Sequence, residues 1–129
     1  MAVGFPYTTG DVLTAADMNG LVAFTINAQT GTTYTATSSD TYQVLVTMNN
    51  AAANAFKIPT NATTAFPVGT VITVMQLGAG VTTISAVTSG TTTVLSAGAV
   101  PAAPTLAQYK SAACIKTATD TWYVVGAVA

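Results

Sequence analysis

From Ile58 to Tyr109 no side chain carries a charge, and this run limits most severely what the chain can become. Its apolar content invites a membrane reading. Thr, Gly and Pro interrupt it throughout, however, and nowhere does it supply the roughly 20 predominantly apolar residues of a spanning helix. A transmembrane β-barrel needs many strands of about ten residues with aromatic girdles, which 129 residues could barely provide. No membrane partner is expected. The remainder is almost as bare: the charged residues are Asp11, Asp17, Asp40, Asp120, Lys57, Lys110 and Lys116, with no His, Glu or Arg. Charged residues make up 5% of the chain, against about 25% in an ordinary soluble domain. Half the residues are hydrophobic, and Thr dominates the rest. A net charge of −1 favours association over staying apart. The expectation is a surface covered largely by copies of the chain or by a larger assembly.

The same scarcity excludes function classes. Proton-transfer chemistry draws on His, or on a carboxylate or Lys whose pKa has been moved near working pH. Hydroxyl nucleophiles need a neighbouring base, so the abundant Ser and Thr have no His to activate them. No local motif suggests a Ser–Lys or Asp–Asp arrangement. The chain is therefore expected not to be an enzyme, with no catalytic residues, no cofactor and no metal site. Three scattered Lys without Arg give no phosphate-binding surface, so no nucleic-acid partner is expected. Cys114 is the only cysteine, which rules out an internal disulfide and fits a small buried apolar residue. Met1-Ala-Val-Gly-Phe-Pro lacks the charged and apolar regions of a signal peptide. The chain is thus expected to stay in the cytoplasm where it is made until it is assembled.

The length suits one domain, but the chain reads as two regions. In residues 1–28, Thr14 followed by Asp17 forms a capping-box variant, and Leu13 with Met18 has the spacing of a hydrophobic staple. Gly20 should end the helix soon after. A helix under about 12–15 residues is marginal alone, so this one must dock on something, either its own β-domain or a partner. From residue 29 to 129 the text is β-rich. Candidate strands are Thr32–Thr37, Tyr42–Met48, Ala55–Ile58, Val71–Leu77, Val81–Val87, Thr92–Ser96, Gln108–Thr117 and Thr121–Val128. Between them stand turn signals such as Asn49-Asn50, Gly78-Ala79-Gly80, Ser89-Gly90 and Thr119-Asp120. Short strands at this spacing predict an antiparallel β-sandwich or barrel-like domain. Pro101 and Pro104 should make a rigid connection, and no clear internal repeat is visible. Alternation puts Trp122 with Val124 in the core and Tyr123 with Val125 on the opposite face. Lys110 and Lys116 are expected to be solvated or paired with an Asp. Asp120 is expected to form a turn.

Two segments resemble a known group. Gly10-Asp11-Val12-Leu13-Thr14-Ala15-Ala16-Asp17-Met18-Asn19 is similar to a segment recurring near the start of bacteriophage tail-fibre, minor tail and other virion-surface proteins. Ala107-Gln108-Tyr109, Ile115-Lys116, Thr119-Asp120-Thr121-Trp122 and Val125-Gly126 resemble the final β-module of such proteins. Phe66–Thr70 and Gln76–Val81 fit that module too. The resemblance implies a structural protein of the virion whose β-domain trimerises. Its partners would be itself and other capsid or tail proteins, and attachment would run through Gly10, Asp11, Leu13, Thr14, Asp17, Met18 and Asn19. With no shaft and no large head, the chain would suit a head fibre, a capsid decoration or a tail-tip element. The alternative expectation is a host-surface adhesion or carbohydrate-binding module, in which Tyr34, Tyr42, Tyr109 and Tyr123 could contact a glycan.

Overall fold

In the computed structural model, Ala15, residues 24–41 and residues 43–129 are described. Among the described residues ten strands follow one another: β1 (Thr25–Gln29), β2 (Thr33–Thr35), β3 (Val44–Met48), β4 (Asn54–Ile58), β5 (Val71–Gln76), β6 (Thr82–Ala86), β7 (Thr93–Ser96), β8 (Thr105–Leu106), β9 (Ser111–Ala118) and β10 (Thr121–Gly126). They form a six-stranded sheet in the order β1-β3-β5-β9-β10-β7 and a four-stranded sheet in the order β2-β4-β6-β8. The core lies between them.

The expected mainly β architecture is present, but the expectation of purely antiparallel strands is corrected, because both sheets are mixed. β1, β3 and β5 run parallel in one sheet, and β2, β4 and β6 run parallel in the other. The chain therefore crosses to the opposite sheet after each of these strands, winding in solenoid-like coils. The turn signals are real, yet most send the chain across the sandwich, not back along its own sheet. Parallel neighbours need a crossover between them, and here the crossover is a strand of the other sheet. Thr119 and Asp120 form the tight turn that joins β9 antiparallel to β10, and β9 and β8 also close antiparallel onto β5 and β6.

Two strands were not legible as such. β1 crosses the boundary drawn between residues 28 and 29 and pairs with β3 from Thr25↔Val44 to Gln29↔Met48. β8 follows the proline-rich connection directly. Two strands, β3 and β9, also start more than one residue later than expected. Gln43 (φ 60°) and Tyr109 (φ 65°) have left-handed backbones that an extended strand does not accommodate. The short helix around Thr14 falls, but for Ala15, outside the described residues.

The second and third coils share one step: Asn54 and Thr82 pair 28 residues apart and hydrogen-bond through their side chains. Their turns stack so closely that a Cβ at Gly78 would meet the Asn50 backbone, and one at Gly80 the Ala52 carbonyl. Beneath this corner Gln76 is fully buried, its amide donating to Gly80 O (2.9 Å) and Thr82 Oγ1 (2.8 Å) and accepting from Gly78 N (2.8 Å). Buried polar groups must be bonded this fully to be tolerated. The apolar core comprises Val46, Met48, Phe56, Ile58, Ile72, Val74, Ile84, Leu106, Cys114, Trp122 and Val124 among others. Phe66 meets Trp122 edge-on, with ring centroids 5.5 Å apart.

Candidate functional site

The outer surfaces of the two sheets differ in chemistry. In a strand successive side chains alternate between faces, so the residues opposite the core positions point outward. On the six-stranded sheet these run in rows across neighbouring strands. One row is Ile26, Leu45, Thr73, Ala113 and Val125; another is Val71, Ile115, Tyr123 and Leu95. Ile26, Val71, Leu95, Tyr123 and Val125 are exposed there, and no charged side chain interrupts the rows. The four-stranded sheet presents Thr33, Thr35, Ala55, Thr83, Ser85 and Thr105, with Lys57 donating from Nζ to Ser85 Oγ at 2.8 Å. The first face is uncharged, with these apolar residues standing among Thr73, Thr93, Ser111 and Thr121, whereas the second is dominated by hydroxyls and carries Lys57. Isolated exposed apolar residues are ordinary; here several stand on one face with no charge between them. At the end where β3 and β5 begin, a recess of about 630 Å³ opens beside it, lined by Phe24, Val44, Phe66, Pro67, Val68 and Val71 among others.

The tyrosines proposed as a glycan platform are not gathered together. Tyr109 is 75% exposed on the turn before β9, and Tyr123 lies on the outer face of the six-stranded sheet. Tyr34 points inward from β2, in the other sheet, and packs on Phe56. Its hydroxyl donates to Asp40 Oδ2 (2.6 Å) and accepts from Asn27 Nδ2 (2.9 Å). Burial, then the bond to Asp40, raises the Tyr34 pKa above its ordinary 10.0. Tyr42 lies outside the described residues, as do Gly10, Asp11, Leu13, Thr14, Asp17, Met18 and Asn19.

Two buried charged residues escaped the sequence reading. Asp40 is 1% exposed and is held by Asn27 Nδ2 (2.7 Å), Tyr34 and Thr37 N (2.8 Å). The Thr37-to-Asp40 spacing, that of a capping box, was the available signal. Lys116 corrects the expectation of a solvated or Asp-paired side chain. It is 2% exposed, and its ammonium donates to Asn61 Oδ1 (2.6 Å) and to Phe66 O (2.6 Å). Its even-numbered parity with Ala112 and Cys114 was the signal, since those residues face inward. Lys110 is exposed. Asp120 forms the expected turn and also accepts from Asn61 N (2.8 Å) and Thr92 Oγ1 (3.2 Å). Cys114 is buried, as its type suggested, and burial pushes its thiol up to about 12. No protein-family model, curated protein or solved structure matches the chain.

Proposed function

We propose that this protein is a non-catalytic structural component of a bacteriophage particle: a small trimeric exterior part, either a head fibre or capsid decoration or a tail-tip or fibre element. The observation that carries the self-association is the uncharged outer face of the six-stranded sheet. Apolar surface removed from water contributes roughly 25 cal/mol per Å², and a face without charges meets a copy of itself with no like-charge repulsion. The occupant of this face is a second copy of the chain. The Gly10–Asn19 segment and the C-terminal segments support placement on a virion, assembled in the host cytoplasm, with the segment that precedes β1 contacting other capsid or tail proteins.

In solution the protein is expected to scatter light as a multiple of one chain, with three copies preferred. A mass of one chain at working concentration overturns the reading. Val125→Lys, on the uncharged face, should shift the protein toward monomer while leaving its thermal midpoint within a degree or two. Thr83→Lys, on the hydroxyl face, should leave assembly intact. The second reading, a carbohydrate-binding module, draws on the exposure of Tyr109. Glycan-array binding lost in Tyr109→Ala would favour it.

A further inference from the structure

We propose that Lys116 and Asn61 form an intramolecular isopeptide bond, a modification the folded protein carries out on itself. Lys116 projects inward from β9, and Asn61 lies in the connection between β4 and β5, 55 residues away along the chain. The lysine nitrogen is 2.6 Å from the amide oxygen, so the amide carbon is one bond beyond that contact. Both groups are held in place. The other hydrogen bond of the ammonium goes to Phe66 O, and the Asn61 N–H is fixed by Asp120 Oδ1, which Thr92 also holds. Lys116, Phe66, Thr92 and Trp122 are all buried, and Asn61 closes over the lysine from the partly exposed rim of the site.

As an ammonium, Lys116 is an expensive residue to place here. A buried charge costs several kcal/mol unless a partner compensates it. Both of the oxygens Lys116 meets are neutral, and among the described residues no carboxylate pairs with it. An apolar side chain at this position would fill the core without that cost. Amide formation removes the charge. The lysine nitrogen passes one proton to the amide group of Asn61 that it already contacts and attacks the side-chain carbon as the free amine. The new C–N bond forms as the old one breaks. The two protons lost by the lysine nitrogen end on the departing amide nitrogen, which leaves as ammonium. The balance is one ammonium and one asparagine side chain converted to one secondary amide and one ammonium ion. No oxidant or other co-reactant is needed.

The test is the intact mass of the purified, folded, full-length protein, followed by proteolysis and tandem mass spectrometry. The expected result is a mass lower than that of the sequence by one ammonia, with a branched peptide joining Asn61 to Lys116. The loss should disappear in Lys116→Arg and in Asn61→Ala. Full sequence mass with a linear, unmodified Lys116 peptide overturns the proposal. So does a loss of ammonia that persists in Lys116→Arg, since that reports a succinimide at an asparagine. The outcome is independent of the particle assignment, which the scattering mass tests separately.

Discussion

Trp122 sits between the sheets, edge-on to Phe66, and is the largest of the fully buried side chains. Replacing a buried aromatic by Ala removes its transfer free energy and leaves a cavity. Trp122→Ala should therefore lower stability by about 3–5 kcal/mol, read from the denaturant midpoint. Cys114 makes a different prediction. Its folded-state pKa is raised from 9.0 to about 12, so the folded chain keeps a proton that the unfolded chain releases. Stability from this group is full below pH 9.0 and is lost as pH rises toward 12. The raised Tyr34 pKa acts in the same direction above 10.0. Denaturant titrations across this range should show the decline, and Cys114→Ala should lose part of it. If the midpoint is flat from pH 9.0 to 12, Cys114 is not buried as described. Trp122 and Cys114 were legible from residue type and alternation. Lys116 shares the parity of Cys114, but its charge argued for solvent, and its inward position against the oxygens of Asn61 and Phe66 came only with the structure.

At the level of elements, the turn between β5 and β6 has the least room to vary. Gly80 lies where the third coil rests directly on the Ala52 carbonyl of the second. Gly80→Ala should push the two turns apart and cost about 1–3 kcal/mol, as overpacking typically does. A thermal midpoint unchanged in that variant would refute the close stacking. Gly78-Ala79-Gly80 was readable as a turn from composition alone. That it stacks on Asn50–Ala52 was not, because the contact depends on a register set by strands 28 residues apart. The same limit explains the strand directions. β7, with Val94 inward and Leu95 outward, displays its alternation in the sequence. Whether a strand's neighbour is antiparallel and next in sequence, or parallel and one coil away, is not written in alternation.

For the whole molecule, β1 decides where the N-terminal segment can be cut. Removing residues 1–23 leaves all ten strands. Removing 1–28 takes away most of β1, exposes the edge of β3 and deletes Asn27, which donates to the buried Asp40. The shorter deletion should preserve the cooperative unfolding of the β-domain while, on the proposed virion role, abolishing incorporation into particles. The longer one should also lower the thermal midpoint. Undiminished incorporation after the shorter deletion would end the attachment role of that segment. The sequence by itself determined the material: strands made of Thr, Val and Ile, a core around Trp122, and too few charges for an ordinary solvated surface. The tertiary structure alone decided that successive strands alternate between two sheets, that the large exposed apolar residues of β1, β5, β7 and β10 share one uncharged face, and that Lys116 meets Asn61. The reason is physical. Side-chain alternation and turn propensity act over a few residues, whereas pairing partners, face composition and the Lys116–Asn61 contact depend on residues brought together from distant parts of the chain.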